Sequence, residues 1–126
     1  MPNLTSEQRK IIAQQAKREL ARRYYRDYVE YVHHGHYRHF RHTELICRHL
    51  QPIADGEQHF IMIEMPPRHG KSMTVTETFP SYFIGKNPDK RVITAAYSDG
   101  LATKFGRVNR NKFNEFAPEI FGVQLS

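Results

Sequence analysis

A chain of 126 residues, 39% of them hydrophobic, has room for one small globular domain, whereas a nucleotide-hydrolysing α/β domain commonly needs about 150 residues or more. Nineteen Lys and Arg against thirteen Asp and Glu give a formal net charge of +6, which favours an anionic partner such as nucleic acid or nucleotide without selecting one. The one cysteine, Cys47, excludes an intramolecular disulfide; no stretch has the length of a membrane span, and Met1 to Lys10 lacks a signal-peptide core, so a soluble intracellular protein is expected.

Thr5-Ser6-Glu7-Gln8 has the form of a capping box and predicts a helix from Ser6. Ile12, Ala16, Leu20, Tyr24 and Tyr28 recur at intervals of four among Arg and Lys, which predicts one apolar stripe on a helix that ends before Gly35. Tyr24, Tyr25, Tyr28 and Tyr31 offer rings for base stacking, but a tyrosine stripe of this kind more commonly packs. His33, His34, His36, His39 and His42 are dense enough to suggest zinc or copper. The three-residue recurrence drifts around a helix, however, and reads as a solvated basic connector. A shorter helix after Thr43 is predicted to bury Leu45, Ile46 and Leu50 and to end at Pro52 and Asp55-Gly56, with Cys47 as a small buried residue.

Phe60-Ile61-Met62-Ile63-Glu64-Met65 is a nearly unbroken apolar run, which suits a strand covered on both faces. Pro66-Pro67-Arg68-His69-Gly70-Lys71-Ser72 follows, then a helix-compatible stretch from Met73 to Ile84. A phosphate-binding loop needs a strand, a tight turn, a lysine for the terminal phosphates and a hydroxyl for magnesium at the start of a helix. Gly70 lets backbone approach phosphate, Lys71 supplies the charge and Ser72 a magnesium ligand. Met65 stands where the common pattern has its first glycine, and Pro66-Pro67 also suits a plain turn between elements. Gly85 to Asp89 is a turn cluster, Arg91 to Tyr97 reads as a second buried strand, and Ser98 or Asp99 caps a helix to about Phe113 with Leu101, Phe105 and Val108 inward. Strand, loop, helix, strand, helix predicts a parallel α/β sheet, with Arg68 to Ser72 and Ser98 to Gly100 at one edge.

The run from Met65 to Ser72 resembles the variant Walker A of tailed-phage large terminases, and Ala95-Ala96-Tyr97-Ser98-Asp99-Gly100-Leu101-Ala102 with Phe105-Gly106 and Arg110 resembles their next segment. Upstream, His42, Leu45-Ile46-Cys47 and Leu50 before Gly56-Glu57 fit the approach to that family's first strand, so the resemblance spans about residues 38 to 121. It implies an α/β P-loop NTPase of the RecA-like, additional-strand kind, with residues 1–58 a helical segment leading into the ATPase and 59–126 its first part. It also implies ATP and magnesium as cofactors, and Pro67, His69, Gly70, Lys71, Ser72 and Met73 as the nucleotide-binding residues. Arg68 matches a basic residue that senses the γ-phosphate in this family; a guanidinium there can engage phosphate oxygens, although a salt bridge or a solvent-facing position is the alternative. The implied partners are double-stranded viral DNA, a small terminase subunit, a portal and further copies in a ring, in the host cytoplasm.

Phe40 or His42 offers a ring for adenine, with packing the commoner fate, and neither Gln51 nor Gln58 can be assigned to the base. Lys104, Arg107 and Arg110 recur on one helix and suit DNA phosphates as well as an ordinary solvated face. A P-loop ATPase also needs an apolar strand closed by an acidic pair. After Lys71 the acidic residues are Glu77, Asp89, Asp99, Glu115 and Glu119, and none closes such a strand. The resemblance places that strand and a nuclease domain beyond Ser126, so an incomplete domain without ATP turnover is expected. Two alternatives stand beside it: part of a helicase-like P-loop motor, or a non-catalytic basic module with a decayed loop that contacts DNA or protein.

Overall fold

The computed structural model describes residues 3–34, 36–66 and 71–124. Helix α1 (Ser6–Arg23) starts at the expected capping box: the Gln8 amide donates to Thr5 Oγ1 at 3.1 Å and the Thr5 amide to Gln8 Oε1 at 2.9 Å. The single long helix read from the sequence is in fact two. Tyr24 is extended (φ −125°, ψ 126°), and α2 (Tyr25–Val32) begins after it. The side chain of Gln51 takes up backbone groups at the break, accepting from the Tyr25 amide at 2.7 Å and donating to the Arg23 carbonyl at 3.1 Å. The break moves the buried stripe to Ala21, Tyr25, Tyr28, Val29 and Val32 and leaves Ile12, Leu20 and Tyr24 exposed.

Helix α3 (Arg41–Ala54) buries Thr43, Ile46, Cys47, Leu50 and Ala54. It continues through Pro52 and leaves Leu45 exposed, against expectation. Gly56 then reverses the chain with φ +104°, a conformation that costs glycine little.

The two apolar runs correct the fold class. Residues 60–66 and 91–97 lie in no helix or strand, and among the described residues there is no strand at all. The parallel α/β sheet of a P-loop NTPase is therefore not the architecture; the described elements are helices. An apolar run reports that side chains favour burial, whereas a strand also needs a hydrogen-bonded neighbour about 4.8 Å away. Here the aromatic side chains of the helices fill the core, and the first run contributes only Ile63 and Met65 to its edge.

The helix expected from Met73 to Ile84 is divided as well. Lys71 is helical, Ser72–Thr76 forms a π-helical turn, Glu77 and Thr78 turn, and α4 (Phe79–Lys86) carries Pro80 in its first turn. Pro80 has no N–H and would crowd the Thr76 carbonyl in an unbroken helix, so a fresh helix starts where proline is tolerated. Helix α5 (Asp99–Ile120) begins as predicted, with Ser98 Oγ accepting from the Leu101 amide at 3.2 Å. It runs beyond Phe113, through Pro118, and buries Phe105, Asn109, Phe113, Phe116, Ala117 and Ile120.

At the centre, Tyr25, Tyr28 and Tyr82 are buried together, with ring centroids 5.0 to 6.2 Å apart. Phe79 meets Tyr25 edge-on at 5.0 Å and Phe121 closes over Tyr28 at 5.9 Å. Each hydroxyl has a partner: Tyr28 Oη lies 2.8 Å from Ser81 Oγ, and Tyr82 Oη accepts from Gln51 Nε2 at 3.2 Å.

Candidate functional site

The candidate site is the turn that opens at Lys71. Lys71, Ser72 and Met73 are exposed, whereas Thr74, one step on, is fully buried. The π-helical step is closed by the Glu77 amide donating to the Ser72 carbonyl at 2.8 Å. A π-helical step inside helical chain recurs at functional sites, because it re-aims side chains that a regular helix would hold.

Several groups clamp this turn from below. The Tyr25 hydroxyl donates to the Thr74 carbonyl, and the Tyr37 hydroxyl hydrogen-bonds Thr74 Oγ1. Burial pushes the Tyr25 hydroxyl well above its ordinary range, so it remains a protonated donor. Thr78 Oγ1 donates to the Met73 carbonyl at 2.6 Å. Asn109 closes the far end: its Nδ2 donates to the Thr76 and Phe105 carbonyls, both at 2.8 Å, while its Oδ1 accepts from the Ser81 amide at 3.2 Å. The carbonyl that Pro80 leaves without a helical donor thus receives one from α5. Asn109→Ala is expected to cost about 1–3 kcal/mol, because it strands buried partners on two elements. Urea unfolding followed by circular dichroism measures it; an unchanged midpoint would show that water replaces the amide.

Pro67, Arg68, His69 and Gly70 lie outside the described residues. Lys104, Arg107 and Arg110 are exposed along α5, where Lys104 Nζ stands 3.8 Å from Glu77 Oε1. Lys112, two residues beyond Arg110, is half-buried; burial lowers its pKa and Glu77 partly offsets this. Among the expected base-stacking rings, Phe40 and His42 stack on each other, with centroids 5.8 Å apart and planes at 2°.

The histidines disperse. His33 Nδ1 lies 2.7 Å from the Val29 carbonyl, His34 pairs with Glu115 at 3.3 Å, and His39 Nε2 lies 2.8 Å from the Arg26 carbonyl. Among the described residues no group of three or more His, Cys, Asp or Glu is placed to hold a metal ion. Of the tyrosine stripe, Tyr25 and Tyr28 pack in the core, Tyr31 meets Phe116 edge-on at 5.9 Å, and Tyr24 is exposed.

Cys47 is buried, and burial pushes its thiol up to about 12. The folded thiol should therefore resist alkylation at pH 8 and react at the ordinary rate in denaturant, which a timed thiol titration reads. The linked stability is intact below the unfolded thiol's pKa of about 8.5. It falls as pH rises from there through about 12.

Tyr37, Thr74 and Asn109 were not singled out as site residues from the sequence, and Tyr25 was raised only as a ring for base stacking. Asn109 left a trace, being polar on the apolar stripe that joins Phe105 to Phe113. Tyr37 left none, because its partner is 37 positions away.

No described helix is long and apolar enough to cross a membrane. Among curated proteins and among solved structures, nothing matches the chain. One family does: the family described as terminase large subunit, T4likevirus-type, N-terminal, matches residues 62–126, from the first apolar run through α5. That stretch is more than half of the chain and includes Lys71, Ser72 and the Asn109 clamp. The chain belongs to this family of terminase large subunits, the phage proteins of viral DNA packaging, as part of their N-terminal region.

Proposed function

We propose that this chain supplies the phosphate-gripping segment of the ATP-driven motor that packages viral DNA into procapsids. The observation that carries the reading is the turn after Gly70. Lys71 and Ser72 open it with exposed side chains, while its other face is fastened to the core through Thr74, Thr76 and Thr78. A fastened backbone fixes where these side chains start, so binding orders the side chains but not the turn that carries them.

In this reading Lys71 sets a point charge against the terminal phosphates of ATP, and the Ser72 hydroxyl is offered to magnesium. In the same reading Arg68 offers its guanidinium and His69 and Gly70 their backbone N–H groups to those phosphates, while Pro67, which has no N–H, and Met73 flank the motif. ATP bound with magnesium supplies the energy of the motor. This chain's own part is to bind and orient the triphosphate. The exposed cations Lys104, Arg107 and Arg110 are proposed to touch phosphates of double-stranded DNA, with affinity that falls steeply with salt. The small terminase subunit, the portal and sister copies in a ring complete the assembly in the bacterial cytoplasm.

Titration calorimetry of the purified chain with ATP, with and without magnesium, tests the nucleotide reading. Binding that requires magnesium, together with slowed amide exchange over residues 71–76, is the expected result. No heat and no protection at millimolar nucleotide would sink it.

A further inference from the structure

The first half of α1 stands clear of the rest of the molecule. Every position from Ser6 to Lys17 is exposed, Ile11 at 57% and Ile12 at 50%. Among the described residues, no side chain from Ser6 to Ala13 hydrogen-bonds another element; Gln8 only caps its own helix. Most helical stability comes from packing one face, and an isolated helix shorter than about 12–15 residues is marginal in water. Such an arm gains from a surface to lie on. Its charge is basic, Arg9, Lys10 and Lys17 outweighing Glu7.

At the other end of the same helix an open groove of about 480 Å³ runs between α2 and α3. Tyr24, at the helix break, is 49% exposed and forms an apolar part of the groove with Pro52, while carboxylates outnumber guanidiniums around it four to two. Glu44 is engaged by Arg26 at 2.7 Å and Asp55 by Lys86 at 2.6 Å. The side chain of Glu57, 66% exposed with His59 at 3.7 Å, is the carboxylate best placed to take a further cation.

We propose that the α1 arm of one copy docks in this groove of the next, with Ile11 and Ile12 against Tyr24 and Pro52 and Arg9 toward Glu57. Arg9 and Ile12, three residues apart, share a face of the helix. The occupant is a second copy for reasons of charge and reach. A basic arm meets an acidic groove, and the arm cannot enter its own: Ile12 and Tyr24 lie at two points of one unbroken helix, about 18 Å apart along its axis. Arm and groove are different surfaces, so the contact is head-to-tail. Each docked pair still offers one free arm and one free groove, and contacts of this kind close into a ring where the rotation allows. The sister copies of the proposed motor thereby gain a specific contact.

Sedimentation velocity of the 126-residue chain over a wide concentration range tests this, with circular dichroism confirming that each variant keeps its helices. Concentration-dependent species larger than a dimer are expected. An arm variant, Ile11→Ser with Ile12→Ser, and a groove variant, Tyr24→Ser with Glu57→Lys, should each raise the Kd at least about tenfold. All four side chains are exposed, so the fold should tolerate the changes. Should the groove variant lose helix, Glu57→Lys alone takes its place. An equal mixture of the two variants is the sharper measurement. The intact arm of one fits the intact groove of the other, so one contact returns and assembly stops at two.

A folded chain that stays monomeric at every concentration overturns the proposal. So does association indifferent to both variants, which would place the contact elsewhere. A mixture that associates no more tightly than its components, or that grows past two, overturns it as well. Nucleotide takes no part in these measurements, so failure here leaves the ATP reading standing.

Discussion

Lys71→Ala is expected to weaken magnesium-dependent ATP binding by about 10- to 150-fold, the equivalent of about 1.5–3 kcal/mol for charge-assisted hydrogen bonds to phosphate. Thermal stability should be unchanged, because Lys71 is exposed and its side chain has no hydrogen bond or ion pair among the described residues. That contrast makes the variant informative: binding and folding are read separately on one protein. Lys71→Arg should recover part of the affinity, since the charge remains while the geometry changes. Calorimetric titration gives the affinity and a thermal melt gives the stability. Equal affinities for wild type and Lys71→Ala would remove Lys71 from the phosphate site, whatever the motif suggests.

Tyr28→Ala should be among the most damaging single changes to stability, at about 3–5 kcal/mol for a large buried aromatic. The ring touches Tyr25, Tyr82 and Phe121, with centroids at 6.2, 5.0 and 5.9 Å, so its removal opens the centre of the core rather than its margin. A small domain has roughly 5–15 kcal/mol in total, so this loss brings the chain close to unfolding at physiological temperature. Tyr28→Phe separates the ring from the hydroxyl. It should cost only about 1 kcal/mol, because Ser81 Oγ keeps its bond to the Thr78 carbonyl at 2.6 Å. Urea midpoints for the two variants test the pair; equal losses would mean that the hydroxyl bond, not ring packing, holds α2 to α4.

Tyr28 also governs the candidate site indirectly. It packs beside Tyr25, whose hydroxyl holds the Thr74 carbonyl under the Lys71 turn. The N-terminal helices thus serve as the floor of the segment that bears the motif. Loosening that floor should loosen the turn before it unfolds the whole chain, and amide exchange at residues 74–76 is where this would first be seen.

What the sequence determined by itself about this protein is local or chemical. The Thr5–Gln8 capping box and the Ser98 cap were legible because each joins residues three apart, within reach of any chain that starts a helix. The burial of Ile46 and Leu50, though not of Leu45, followed from the apolar residues of α3 and that of Cys47 from the general burial of free cysteine, and the family was legible in the residues around Lys71 and Ala95 to Arg110. The tertiary structure alone decided the rest. Whether an apolar run becomes a strand depends on a partner to hydrogen-bond with, and residues 60–65 and 91–97 have none among the described residues, so the expected sheet is absent while the apolar pattern remains. Whether α1 and α2 are one helix depended on Gln51, 26 positions beyond Tyr25, and the clamp on Thr76 on Asn109, 33 positions away. Local pattern states what a segment can become; contacts between segments far apart in the chain select which of those forms is lowest in free energy.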